Sequence, residues 1–439
     1  MTLSDKKKTL IKRTPPVKKR KPLLSAALSL VSLGLGQIYN GELLKGLLLK
    51  STLLVSIVLY SILVFKTSHE LFLLLAFVIV FLLSRIYSIV QAFFKSRRLD
   101  TAYTLRKFNR SYIYVILTVI FIAFHIVSIL LIPRLALLEQ TTYHPFRSAG
   151  AKEHYIRFYE TRAKSWPVDS ETRMVETTYG QTFVRISGRD EAPPLVLLPG
   201  ANATSLLWIP NIKALSAFYR TYALDNIYDV GRSVFTRKLK EPEDFVHWLD
   251  ELFTKLGLED NIRLMGLSYG GWITSQYALH TPERLKKIVM LAPAATVKPL
   301  GPVFLKSALL CLIPHRHFVR KSMEMVMGDL AHKKDKDSRQ QFENIMKNAF
   351  LGLRCFKPKM LVSPTVLSEK EWQNLKVPAL YLVGENERIY AASGYEAIQH
   401  LQKVAPHVKT ELIPDAGHDL TVIQADMVNR IILEFLKDQ

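Results

Sequence analysis

Apolar positions are distributed unevenly along this chain. Three long apolar runs lie in its first third: residues 46–65 (GLLLKSTLLVSIVLYSILVF), 71–94 (LFLLLAFVIVFLLSRIYSIVQAFF) and 112–132 (YIYVILTVIFIAFHIVSILLI). Each approaches or exceeds the roughly 20 residues a helix needs to cross about 30 Å of hydrocarbon. A shorter run, residues 23–38 (LLSAALSLVSLGLGQI), carries glycines and has no small-x-small cleavage site after it. It reads as an interfacial or half-inserted segment rather than a signal peptide. Lys50, Arg85 and His125 interrupt the long runs. Lys50, near an end, is placed to snorkel, and Arg85 and His125 are expected to face neighbouring helices.

The texture changes from about residue 154. Residues 153–164 have an amphipathic helical period, and residues 173–178 and 182–187 alternate as two strands joined at Tyr179-Gly180. Short continuous apolar runs of the buried parallel kind follow at 195–198, 222–225, 262–266, 287–291, 379–383 and 409–413. Between them lie helical periods at 206–218, 242–256, 271–280, 394–404 and 422–436. This alternation predicts a doubly wound, mostly parallel α/β sheet, with its site at the carboxyl ends of the strands. Residues 293–376 separate two predicted strands by more than an ordinary connection allows, and are rich in helix formers, so they predict an inserted helical cap or lid.

Charge refines the picture. The formal net charge is +21, yet residues 1–150 hold 21 Lys+Arg against 5 Asp+Glu, and the remainder 38 against 33. The excess therefore flanks the apolar runs, which indicates anionic lipid and membrane orientation rather than nucleic acid; no nucleic-acid-binding motif is present. The tail 1–22 and the loop after the second run are both lysine- and arginine-rich. Three spans place both on the cytoplasmic side and carry everything after Pro133 to the opposite face. The expected organisation is a basic tail (1–22), a membrane region (23–140) of about three transmembrane helices, and an extracytoplasmic α/β domain (150–439) with its cap at 293–376. Residues 34–41 (GLGQIYNG) resemble the glycine-rich opening of small bacterial membrane domains, and read chiefly as a helix-packing turn. Two cysteines, Cys311 and Cys355, are too few for a disulfide scaffold or a cysteine metal cluster.

The chemistry concentrates at Gly266-x-Ser268-x-Gly270, which follows a predicted strand and opens a predicted helix. A serine on so sharp a turn has its hydroxyl lifted clear of the sheet, and side-chain-free neighbours let strand and helix pack closely. The helix N-terminus behind it offers free N–H groups to an oxyanion. A serine hydroxyl also needs a base, and the base an orienting acid.

Several segments in order make residues 173–437 resemble the α/β-hydrolase superfamily, in the manner of carboxylesterases and lipases. Residues 197–202 (LLPGAN) resemble the turn carrying the first oxyanion donor, with Pro199 where many relatives have His; residues 225–233 (DNIYDVGRS) resemble the turn after the fourth strand. Residues 377–387 (VPALYLVGENE) resemble the acid strand and loop, and residues 413–418 (IPDAGH) the loop that carries the base. The resemblance implies Ser268 as nucleophile, His418 as base and Glu387 as acid, with Glu385 the alternative acid. It implies backbone N–H donors at Ala201 and Tyr269. A serine at the elbow argues against the dehalogenases and epoxide hydrolases of this fold, which use aspartate there. His315, His317 and His332 lie in the cap without metal-ligand spacing, and no metal or organic cofactor is implied.

The expected function is a membrane-anchored serine hydrolase cleaving an ester or related acyl bond of a small-molecule or lipid-like substrate. Esterase, lipase, thioesterase and peptidase activities all fit the motif set, since the cap and not the fold sets specificity. A catalytically silent tethered binding or signalling protein, or a transporter with an accessory hydrolase, is the competing class. The complete set of three side chains weighs against the first of these, and the scarcity of polar residues in the runs against the second.

Overall fold

A computed structural model describes residues 19–52, 55, 70–99, 112–117, 119–120 and 145–437. The chain divides into two compact units, Met1–Gln140 and Thr141–Gln439.

In the first unit the run at 23–38 forms two short helices, Pro22–Val31 and Leu35–Tyr39, and residues 43–52 continue helically. Gly34 turns the chain between the first two with φ 88°, a left-handed value open to glycine at no steric cost. Gly36 allows close packing: a Cβ there would lie 2.2 Å from the Ser25 carbonyl oxygen. Both short helices pack on the long helix Glu70–Arg98. Buried amides stitch this contact. Gln37 Nε2 donates to the Ser88 carbonyl (2.8 Å), and Asn40 Nδ2 to the Ala92 carbonyl (2.7 Å) and Ser25 Oγ (2.9 Å). Arg85 turns toward a neighbouring helix, as its sequence context predicts, and donates to the Ser29 carbonyl (3.2 Å). Lys50 reaches Ser32 Oγ (3.2 Å). Among the described residues one helix, Phe77–Arg98 with mean hydropathy 2.0, is long and apolar enough to cross a membrane. Most of the first predicted span and of the third, with His125, lies outside the described residues.

The second unit is built on a nine-stranded sheet. Its strands are β1 (Glu171–Thr177), β2 (Gly180–Ser187), β3 (Pro194–Leu198), β4 (Arg220–Leu224), β5 (Val234–Phe235), β6 (Ile262–Leu267), β7 (Leu285–Leu291), β8 (Ala379–Gly384) and β9 (Lys409–Ile413). The order is β1-β2-β4-β3-β6-β7-β8-β9, with β5 pairing β2. β1 and β2 form an antiparallel hairpin, and β4 through β9 along this path are mutually parallel. The two-residue side-chain period sends alternate residues into separate cores. Val196, Leu198, Leu264, Ile288 and Met290 enter one, and Leu195, Leu197, Met265, Val289 and Leu291 the other. Each such side chain contributes roughly 1.5–3 kcal/mol when removed from water, which explains why the central strands read as continuous apolar runs.

Helices cover both faces: α1 (Ala149–Ala163), α2 (Ile209–Ser216), α3 (Pro242–Lys255) and α4 (Tyr269–His280). Between β7 and β8 come five more: α5 (Pro302–Cys311), α6 (Arg316–Val326), α7 (Gly328–His332), α8 (Lys336–Cys355) and α9 (Glu369–Gln373). The chain ends through α10 (Gly394–Val404), α11 (Leu420–Ile423) and α12 (Ala425–Leu436). The insertion between β7 and β8 is thus helical, and part of it has its own small core of Met327, Leu330, Phe342 and Met346. Two expectations shift. The helix predicted at 206–218 opens as a 3-10 turn, Ser205–Trp208, capped by Thr204, before α2 starts with Pro210 in its first turn. The helix predicted at 422–436 is broken into α11 and α12.

Candidate active site

β6 is buried at all six positions, Arg263 included, and ends at Leu267, immediately before Ser268. There the chain reverses into α4, with Ser268 at φ 53° and ψ −114°. This is the strained backbone the motif demands, and it is held by neighbours. Ser268 N donates to the Leu291 carbonyl (2.8 Å), and its own carbonyl accepts from Ala294 N (2.9 Å) and Trp272 N (3.0 Å). The flanking glycines are required sterically: a Cβ on Gly266 would meet the Gly270 carbonyl oxygen at 2.1 Å, and one on Gly270 the Leu198 oxygen at 2.3 Å. Gly200, in the turn after β3, lies against the serine; its Cβ would stand 3.3 Å from that of Ser268.

Glu387 follows β8 and His418 follows β9, so both leave the same sheet edge as Ser268, because β6, β7, β8 and β9 run parallel. The two side chains meet: His418 Nδ1 lies 2.8 Å from Glu387 Oε2. The other carboxylate oxygen accepts from Arg388 N (2.8 Å) and Ile389 N (2.9 Å), which fixes the group's orientation. With Nδ1–H donated to the carboxylate, Nε2 is the nitrogen left to exchange a proton. Glu385 does not compete for this role. It is exposed and accepts from Asp415 N (3.3 Å) instead.

Electrostatics follow from this geometry. Burial opposes charge on both groups. The Glu387 carboxylate nevertheless outweighs that cost and raises the His418 pKa above the ordinary histidine value. For Glu387, burial is likewise overcome, by the His418 charge and by hydrogen bonds from His418, Ile389 and Arg388, and its pKa is lowered.

The loop at 199–203 is tied down at several points. Asn226 Nδ2 donates to the Pro199 carbonyl (3.1 Å), Ala203 N to the Gly200 carbonyl (3.2 Å), and Asn202 N to Asp229 Oδ2 (2.8 Å). Tyr269, next to the serine, donates its hydroxyl to the Val362 carbonyl in the insertion (2.8 Å). Burial pushes the Asp229 carboxyl up to about 6, against the opposing charge of Lys359.

Two acids escaped the sequence reading. Asp419, beside the histidine, accepts from Leu330 N (2.7 Å) and so anchors α7 of the insertion to the His418 loop. Asp229 clamps Asn202 as described. Each acts on a residue remote in sequence, so nothing local marks it, although Asp229 does fall in the quoted DNIYDVGRS stretch. His315, His317 and His332 make local contacts, His315 capping α6. Among the described residues no cluster of three or more His, Cys, Asp or Glu is arranged to hold a metal ion.

The sheet order, the strained serine turn and the acid–histidine pair define a class. Residues 193–422 match the family model of the alpha/beta hydrolase fold, and the chain belongs to that family. Its relatives narrow the kind. It is 35% identical over 294 residues to an uncharacterized carboxylesterase of Bacillus subtilis, nap, an alignment covering 64% of this chain and 92% of that protein. It is 32% identical over 296 residues to the carboxylesterase YbfK of the same species, covering 65% and 96%. The crystal structure of the Bacillus subtilis naproxen esterase superposes with a TM-score of 0.60 at 32% identity, over 66% of this chain and 99% of that one. The chain is a hydrolase, with carboxylic ester hydrolases as its relatives.

Proposed function

We propose that this protein is a membrane-anchored serine carboxylesterase that works through Ser268, His418 and Glu387. The observation that carries the reading is the 2.8 Å contact between His418 and Glu387 at the sheet edge where the strained Ser268 turn ends. In the proposed reaction Ser268 Oγ attacks the ester carbonyl carbon while His418 Nε2 takes the hydroxyl proton. Glu387 holds the imidazole in the required tautomer and stabilises the imidazolium. The N–H groups of Ala201 and Tyr269 stabilise the tetrahedral oxyanion, each such donor being worth about 10²–10³ in rate. The intermediate collapses as His418 returns the proton to the departing alkoxide. Water, activated by the same histidine, then attacks the acyl-enzyme and releases the acid.

Anchoring is supported by the first unit. On Glu70–Arg98 the residues Ile79, Leu82, Leu83, Ile86 and Val90 are exposed. A run of apolar side chains facing outward suits lipid far better than water. The basic tail and loop support a cytoplasmic N-terminus, with the hydrolase unit on the extracytoplasmic side. A substrate at or near the bilayer, small or lipid-like, fits that placement.

A fluorophosphonate probe tests the chemistry. Wild type is expected to label and Ser268→Ala to remain unlabelled. A wild type that stays unlabelled where other serine hydrolases react would overturn the proposal. Chromogenic esters of graded chain length would then define the acyl preference.

A further inference from the structure

Asn202 sits one residue beyond the proposed oxyanion donor Ala201, at φ 55°, and every polar group it owns is occupied or pressed. Its N–H is held by Asp229 (2.8 Å), its carbonyl accepts from Asn348 Nδ2 (2.9 Å), and its own Nδ2 reaches the Ala349 carbonyl (3.4 Å). Its Oδ1 lies so close to Gly352 that a Cβ there would come within 2.3 Å. Three of these four partners, Asn348, Ala349 and Gly352, are on α8, in the insertion. Asn348 is itself fixed: it is buried, and its Oδ1 accepts from the Tyr155 hydroxyl of α1 (3.0 Å).

The consequence for Ala201 follows from peptide planarity. The Ala201 N–H shares a rigid plane with the Gly200 carbonyl and points the opposite way. That carbonyl accepts from Ala203 N (3.2 Å), so the N–H direction is set by where residue 203 is held. Residue 203 is joined to the Asn202 carbonyl, the group that Asn348 grips. We infer that Asn348, backed by Tyr155, is a positioning residue for the oxyanion hole, so that the cap helix α8 fixes the direction of the Ala201 N–H. The cap thereby acts on the transition state and not only on which substrates enter. This rests on the proposed role of Ala201.

The loss should appear in kcat, because a misdirected donor weakens binding of the oxyanion and leaves ground-state binding alone. The test uses the full chain in detergent or nanodiscs with a short p-nitrophenyl ester. Wild type must turn over and Ser268→Ala must not; if wild type fails, the underlying reading falls. Given that turnover, Tyr155→Phe, which removes one hydroxyl, is expected to lower kcat about threefold. The double variant Asn348→Leu with Tyr155→Phe removes both partners of the buried bond and so leaves no orphaned group between them. It is expected to lower kcat at least tenfold, with KM within about threefold. A trifluoromethyl ketone, which mimics the oxyanion, should lose affinity in parallel with kcat, while the carboxylate product should bind as before. Folded variants whose kcat stays within 1.5-fold of wild type, or whose loss falls in KM with the ketone's affinity unchanged, would overturn the inference. If the double variant does not fold, the Tyr155→Phe result decides.

Discussion

At the scale of single residues, Glu387 and His418 impose opposite pH trends on stability and activity. The folded pKa of His418 is raised, so its contribution to stability is complete below the unfolded value, about 6.5, and is lost as pH rises through the folded value. The folded pKa of Glu387 is lowered, so its contribution is complete above about 4.3 and is lost as pH falls through the folded value. The pair therefore stabilises most between those limits. In the proposed mechanism activity needs neutral His418, so it should climb as the pair's stabilisation fades. Glu387→Gln should lower kcat by about 10²–10⁴. It should also move the acidic limb of the rate profile to lower pH, since an amide no longer favours the imidazolium. A pH profile of kcat/KM for both forms checks the direction; an unmoved limb would contradict the assignment of that limb to His418. The three members of the proposed triad, Ser268, His418 and Glu387, could be picked out in the sequence because each sits in a short local pattern imposed by a strand ending in a turn. The bonding roles of Asn202, Asp229 and Asp419 could not, because their partners lie 146, 27 and 89 positions away, even though Asn202 and Asp229 fall within the LLPGAN and DNIYDVGRS stretches.

At the scale of elements, the central strands were legible because burial on both faces leaves mostly apolar residues, Arg263 and Lys287 being exceptions near strand starts, a signal that needs no knowledge of neighbours. β9 and α10 have the bounds the sequence predicts. β5 had no such signal: it is two residues long, and its identity comes from pairing Val234 and Phe235 with Gln181 and Gly180 of β2. The start of α2 was obscured by Pro210, which ends one helical turn and begins the next. The insertion could be recognised by length and composition, but its packing could not, since amphipathic helices dock wherever an apolar face is free. On α8 that face includes Phe342, Met346 and Ala349, buried at helical spacing. Phe342 is 4% exposed, so Phe342→Ala should destabilise this element by about 3–5 kcal/mol through lost burial and an unfilled cavity. Thermal unfolding measures it; a shift of less than about 1 °C would mean that this small core contributes little.

At the scale of the whole molecule, the division into two units after Gln140 falls between the last long apolar run, which ends at residue 132, and the change to alternating strand and helix patterns near residue 154. The charge asymmetry makes a prediction about the proposed membrane orientation. Protease added to intact cells should trim the hydrolase unit, and the basic tail should become accessible only after lysis. Complete protection of the hydrolase unit, with cleavage after lysis alone, would reverse the proposed orientation.

The grip of α8 on residue 202 also bears on how freely such enzymes can exchange parts. An inserted segment that merely roofs a pocket could be traded among relatives to change substrate preference at little cost. Here the same segment supplies an amide to a loop at the serine. A transplanted segment without an equivalent donor would then alter turnover along with selectivity, and would call for a compensating change in the loop that receives it.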